Sequence, residues 1–252
     1  MIQSIATVTS NEELLPGVHM IWLRAPEIAR LARAGQFVMI RCSGSCDPLL
    51  RRPLSIHRVG SGGQVSFLFD VVGSGTAWLS RTDTGDQIDI LGPLGNGYSL
   101  GLGAERLLLV GGGIGVAPLL FLADEAVACG HSVVLLVGAR TRSLLYPASL
   151  VASSVIYLKA TEDGSEGVAG RVTDMMSSYV SQVDRIFACG PTDMYKCMSE
   201  DRRLQAKSLQ VSLEAVMGCG VGACYSCTVR TKTGVRQICK DGPVFELADI
   251  LW

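Results

Sequence analysis

Four cysteines, Cys219, Cys224, Cys227 and Cys239, stand in the order C-x4-C-x2-C-x11-C. Three of them crowd one glycine-rich stretch, Gly218-Cys219-Gly220-Val221-Gly222-Ala223-Cys224-Tyr225-Ser226-Cys227, and the fourth stands apart. That is the plant-type spacing by which four thiolates hold a [2Fe–2S] cluster. A loop wrapped round a cluster needs backbone freedom and close approach, so that amide N–H groups can point at sulfur; the glycines and Ala223 suit both needs. The alternatives are structural zinc and unliganded thiols. Four-cysteine zinc sites are usually built from two short hooks some distance apart, which this pattern does not resemble. The spacing therefore predicts metal ligands whose chemistry is one-electron transfer.

Bulk properties narrow the setting. A chain of 252 residues has room for one large domain or two to three small ones. Its formal net charge of −1 gives no electrostatic case for nucleic acid or an anionic membrane as partner. Nine cysteines, four of them committed to one local site, fit a secreted disulfide framework poorly. Residues 1–8 read as a first β-strand rather than a targeting segment, and no uncharged apolar run is long enough to span a bilayer. A reducing, cytoplasmic setting is the expectation.

Three segments follow. Residues 1–100 carry strand-like runs at 2–8, 18–23, 37–42, 55–59, 65–72 and 87–91, which predict a small antiparallel β-barrel interrupted by one short helix near Thr76. Gly60-Ser61-Gly62-Gly63 is a hairpin signal between two of these runs. Residues 101–208 alternate buried-strand and helix signals, beginning with Leu107-Leu108-Leu109-Val110, and predict a doubly wound parallel α/β domain. Residues 209–252 form a small segment carrying the cysteines.

Gly111-Gly112-Gly113-Ile114-Gly115-Val116-Ala117-Pro118 follows a buried strand and opens a helix, where free N–H groups and the helix dipole could cradle a phosphate. Gly113, Gly115 and Pro118 are the candidates; Pro118 is tolerated in a first helical turn. The pattern departs from the usual dinucleotide fingerprint, because proline replaces the last glycine and no acid ends the second strand. A tight strand-to-helix turn without a ligand is the alternative. Arg140 and Arg142 could clamp a 2′-phosphate or could be solvated loop residues.

In the first segment, Arg51-Arg52-Pro53-Leu54-Ser55-Ile56 opens a barrel strand and Gly73-Ser74-Gly75-Thr76 opens the barrel's helix. A guanidinium beside glycine N–H groups is the chemistry that holds a pyrophosphate. The order R-P-x-S, G-x-G-T, G-G-G-I-G-V-A-P, then Cys189-Gly190-Pro191-Thr192-Asp193-Met194 resembles the ferredoxin–NAD(P)H reductase superfamily. Leu91-Gly92-Pro93-Leu94-Gly95-Asn96-Gly97, Met217-Gly218-Cys219 and Asp241-Gly242-Pro243-Val244-Phe245 narrow the resemblance to the electron-transfer subunits of type B dihydroorotate dehydrogenase, collinear over nearly the whole chain.

The resemblance implies FAD on Arg52, Pro53, Leu54, Ser55, Phe69, Asp70, Val71, Gly75 and Thr76, a [2Fe–2S] cluster on the four cysteines, and NAD at the glycine loop. It also implies an FMN-containing catalytic partner that oxidises dihydroorotate, joined in a heterotetramer. Asp70 departs from the family pattern, which tends to carry arginine there, and would add like charge near the pyrophosphate. Related architectures are a sulfhydrogenase flavin subunit and an NAD(P)H–ferredoxin oxidoreductase. In one electron-bifurcating group aspartate stands where Cys219 does, so the full cysteine set favours the dihydroorotate reading. A zinc-stabilised interaction module is the reading from another class.

Flavin links hydride chemistry to one-electron chemistry, so no acid–base pair is required and no catalytic residue is nominated. His57 and His131 read as surface or loop histidines. Cys189 is either a positioning residue for hydride transfer or a small buried side chain. Cys42, Cys46, Cys129 and Cys197 read as structural or incidental, although Cys42 and Cys46 are close enough in sequence for a second metal hook.

Overall fold

The computed structural model describes residues 1–43, 49–102 and 105–252. Six strands close into an antiparallel barrel: β1 (Ile2–Leu15), β2 (Val18–Arg24), β3 (Phe37–Ile40), β4 (Arg52–Gly60), β5 (Gln64–Asp70) and β6 (Gln87–Leu94). Their order is β1-β2-β5-β4-β3-β6. β6 shows why the sequence closes this way: Ile88, Ile90 and Leu94 are buried while Gln87, Asp89 and Leu91 alternate outward. β1 extends past the expected end at Val8 to Leu15. Polar residues hid that extension, and the fold uses them: Asn11 Nδ2 donates to the Leu79 and Thr82 carbonyls at 3.0 Å each. Two short helices interrupt the barrel segment, α1 (Pro26–Leu31) and the anticipated α2 (Ser74–Leu79). The unforeseen α1 starts on Pro26, whose fixed φ suits a first helical position.

The chain continues through β7 (Arg106–Gly112), α3 (Val116–Ala128), β8 (Ser132–Ala139), β9 (Ile156–Thr161), β10 (Val168–Ala169), α4 (Val172–Met176), β11 (Arg185–Cys189), α5 (Thr192–Glu200) and β12 (Ser208–Ser212). It then makes an excursion through β13 (Thr228–Thr231), β14 (Gly234–Gln237) and α6 (Ile238–Asp241) and returns as β15 (Val244–Glu246). The sheet order is β10-β9-β8-β7-β11-β12-β15, parallel except for the β12–β15 pair at the edge. Leu107 to Val110 are fully buried, as a strand covered on both faces requires. α3 shares a core with the barrel, while α4 and α5 pack on the other face. The cysteine segment is thus inserted between two neighbouring strands of the sheet. No helix among the described residues is long and apolar enough to cross a membrane.

The barrel and the α/β domain are fastened by polar contacts. Arg58 of β4 pairs with Asp124 of α3 at 2.7 Å and donates to the Leu150 carbonyl at 2.8 Å. Next to it, His57 corrects the sequence reading, because it is fully buried instead of exposed. Its Nε2 meets the Tyr146 hydroxyl at 3.1 Å and its Nδ1 meets the Ser66 hydroxyl at 3.4 Å. His131 is buried as well, and its Nδ1 accepts from the Glu105 amide at 3.2 Å. A lone histidine in a strand gives no sign of burial when the domain that covers it lies about 90 residues further along the chain.

Burial, helped by the Arg58 charge, pushes His57 down from 6.5 to about 3. Below pH 6.5 the unfolded chain takes up a proton that the folded chain refuses. The contribution of neutral His57 is therefore fully present above 6.5 and lost as pH falls toward about 3. The slope approaches about 1.4 kcal/mol per pH unit. His57→Asn is expected to flatten the fall in melting temperature between about pH 6.5 and about pH 4. An unchanged slope would show that His57 does not titrate with unfolding.

Candidate cofactor clefts and cysteine loop

The cysteine loop leaves β12 and runs to β13, bearing Cys219, Cys224 and Cys227; Cys239 sits in α6. Gly220 and Gly222 take left-handed φ values of 73° and 82°. A Cβ on Gly220 would stand 2.5 Å from Met39 Cγ, so the loop lies directly on β3 of the barrel. Backbone amides converge on sulfur. Val221, Ala223 and Cys224 donate to Cys219 Sγ at 3.4, 3.3 and 3.4 Å, Gly222 donates to Cys239 Sγ at 3.2 Å, and Cys239 donates to Cys227 Sγ at 3.4 Å.

This donor set fits a thiolate-bound cluster, whose sulfurs accept such bonds. The thiols also fall into pairs. Hydrogen bonds from Ser226 and then Cys219 pull Cys224 down to about 6, whereas burial and then the neighbouring Cys227 push Cys239 up to about 12. Two pairs suit two irons with two thiolates each. Among the described residues no three His, Cys, Asp or Glu side chains converge as a single metal ion requires.

The second feature is a contact between two motifs on the barrel. Arg51 is tied to Asp89 at 2.6 Å, whereas Arg52 donates to the Leu50 carbonyl at 2.6 Å and lies over Gly75. A Cβ there would stand 2.8 Å from Arg52 Nε. The two distant motifs therefore meet, with half-buried Pro53, Leu54 and Ser55 continuing the same strand. The Thr76 hydroxyl accepts from the Val72 and Gly73 amides at 3.0 and 3.3 Å, so it shapes the 73–76 turn. Phe69 is buried and stacks on His19 with ring centroids 5.8 Å apart.

The third feature is a cavity of about 730 Å³ at the carboxyl ends of the sheet strands. It opens where β8 and β11 leave β7 in opposite directions, the switch point at which α/β sheets bind ligands. Gly113 and Gly115 line it, and Asp70 and Val71 reach it from the barrel. Gly115 is pressed on β11, because a Cβ would fall 2.2 Å from the Cys189 carbonyl oxygen. Pro118 is buried in the first turn of α3. Glu214 shares the wall with Asp70, and burial raises both carboxyls, with the Asp70 charge adding to the effect on Glu214.

Similarity to known proteins follows the same plan. A family model described as the iron-sulfur cluster binding domain of dihydroorotate dehydrogenase B matches residues 214–251. The dihydroorotate dehydrogenase B (NAD(+)) electron transfer subunit of Geobacillus thermodenitrificans is 39% identical over 252 residues, covering 97% of each chain. That of Desulforamulus reducens is 40% identical over 255 residues, covering 98% of this chain and 97% of the relative. The chain belongs to the electron-transfer subunits of dihydroorotate dehydrogenase B. Among solved structures, a chain of an NADH-dependent reduced ferredoxin-NADP oxidoreductase superposes with a TM-score of 0.89 at 31% identity, covering 99% of this chain and 90% of that one. A ferredoxin NADP+ reductase from Neisseria gonorrhoeae shares the fold, with a TM-score of 0.65 at 18% identity, covering 77% and 88%.

For an electron-transfer subunit of dihydroorotate dehydrogenase B, the remaining candidates sort by burial. Cys189 is 2% exposed and lies off the cavity wall, which at that point is made by Gly190 and Pro191. That favours the small buried side chain over a positioning role. Cys42 is buried, Cys129 and Cys197 are exposed, and Cys46, with any hook it would form, lies outside the described residues. Met39 and Glu214 escaped the sequence reading. One is an ordinary strand methionine and the other an acid just ahead of the cysteine loop, and neither carries a local signal.

Proposed function

We propose that this subunit carries FAD on the barrel where Arg52 meets Gly75, a [2Fe–2S] cluster on Cys219, Cys224, Cys227 and Cys239, and NAD(H) in the cavity. It passes electrons from a catalytic partner, FMN-containing and joined in a cytoplasmic heterotetramer, to NAD+. The observation that carries this reading is the seat of the cysteine loop on the barrel. Gly220 packs on Met39, and Met39 is the register partner of Pro53 in the strand that opens with Arg52. One buried side chain thus lies between the cysteine loop at Gly220 and the proposed flavin strand.

When bound, flavin supplies the exchange between single electrons and hydride. This chain's residues bind and orient. Arg52 and the 74–76 amides would hold the flavin pyrophosphate, with Pro53, Leu54, Ser55 and the backbone of Phe69, Asp70 and Val71 beside it. The notch of Gly113 and Gly115 ahead of Pro118 would admit the dinucleotide. The amides around Cys219 and Cys239 would hold their sulfurs as thiolates. The units follow residues 1–100, 101–208 and 209–252, with the last returning β12 and β15 to the sheet.

An anaerobic visible spectrum of the purified chain, with iron, sulfide, zinc and released flavin quantified, tests the proposal. One FAD with two irons and two sulfides per chain is expected. Zinc without flavin would overturn it.

A further inference from the structure

Resting on the reading that the cavity takes a nicotinamide dinucleotide, we propose that the turn after β9 excludes a 2′-phosphate and so selects NADH over NADPH. Glu162 offers a carboxylate to the ribose end of the cavity, and Glu166 holds Arg142 and Lys159 away from it.

The dinucleotide's direction follows from the sheet. With the pyrophosphate at residues 113–115, the adenosine ribose falls at the carboxyl ends of the strands next outward, β8 and then β9. A carboxylate there accepts a bond from a free 2′-hydroxyl, whereas an arginine there accommodates a 2′-phosphate. β8 itself ends without an acid, in Ala139 and then Arg140. The acid comes instead from the neighbouring turn, which is laid along the end of β8. The Glu162 amide donates to the Ala139 carbonyl at 3.1 Å, the Asp163 amide to the Arg140 carbonyl at 3.2 Å, and the Arg142 amide to the Ser165 hydroxyl at 2.8 Å. Glu162 and Arg140 both line the cavity.

The same turn engages the second arginine. Arg142 Nε lies 3.2 Å from Glu166 Oε2, and Lys159 Nζ lies 2.5 Å from Glu166 Oε1. Two cations beside the turn, neither of which lines the cavity, are thereby paired with one carboxylate. A 2′-phosphate that recruited Arg142 or Lys159 would have to break the Glu166 pairs, and it would approach Glu162 with like charge. An unmodified ribose meets neither obstacle.

The test titrates the flavin- and cluster-loaded chain with 5′-AMP and with adenosine 2′,5′-bisphosphate by calorimetry. The ratio of NADPH to NADH oxidation with a dye acceptor is measured alongside. Glu162→Gln combined with Glu166→Gln is expected to shift the affinity ratio toward the bisphosphate by about fivefold or more. Adding Arg142→Ala is expected to reverse most of that shift. A smaller shift, or one that Arg142→Ala leaves intact, overturns the inference. Should the double variant lose its flavin absorbance, Glu166→Gln alone serves, with the same thresholds. A wild-type chain that binds neither adenosine ligand and oxidises neither dinucleotide would overturn the dinucleotide reading instead.

Discussion

Replacing Cys224 with serine is expected to remove the [2Fe–2S] absorbance and the reduced-cluster electron spin resonance signal, and to bring transfer from the partner subunit to background. Losing a partner of a metal ligand typically costs 10- to about 100-fold in metal affinity, and losing a ligand outright should cost more. A serine hydroxyl does not ionise near neutral pH, so it cannot stand in for a thiol already drawn down to about 6. The damage should stay local. Cys224 is exposed, and the barrel and sheet bury their cores without it. NADH oxidation with a dye that accepts from flavin should therefore persist, while cluster-dependent transfer disappears. A variant that kept a normal cluster spectrum would show that Cys224 is not a ligand.

Gly115→Ala is expected to cost NADH oxidation about 100-fold, the scale of loss that a 1 Å misplacement of the bound groups produces. The added methyl would stand 2.2 Å from the Cys189 oxygen, 2.4 Å from the Cys189 carbonyl carbon and 2.7 Å from the Gly190 nitrogen. All three atoms are backbone, and Cys189 is held in parallel register with Gly111. No side chain can swing aside, so the glycine loop and β11 must separate, at a stability cost of about 3 kcal/mol. FAD and iron should remain near wild-type content, because neither the Arg52–Gly75 contact nor the cysteine loop is among the atoms the added methyl would meet. For stability alone Gly113 is the comparison: at a φ of 55° with no protein atom within 4 Å of an added Cβ, Gly113→Ala should lower stability only by the left-handed strain of about 1 kcal/mol. Equal NADH kinetics in the wild type and Gly115→Ala would show that the notch is not where the dinucleotide binds.

Those two glycines look alike in the sequence, and their difference marks where sequence reasoning stops. Both belong to one glycine run between a buried strand and a helix, a local pattern that suffices to predict a turn. The reason Gly115 has no room is the carbonyl of Cys189, more than 70 residues later. Arg51 and Arg52 divide in the same way. Adjacent in the motif, they part because Asp89 of β6 takes the first and Gly75 lies beneath the second. His57 looks like a surface histidine in the sequence for the same cause, since the Tyr146 hydroxyl that meets it comes from the other domain.

The sequence alone determined the features that need only neighbours along the chain. Strand and helix periodicity, the turn glycines and the cysteine spacing depend on short-range geometry, and with them came the barrel, the parallel sheet and the metal-binding loop. The tertiary structure decided which of these surfaces meet. It set the cysteine loop on Met39, laid the acidic turn along β8 and brought Asp70 and Glu214 to one wall. Such contacts are made by packing between segments far apart in sequence, and no local pattern encodes which distant backbone will stand within 3 Å of a given glycine.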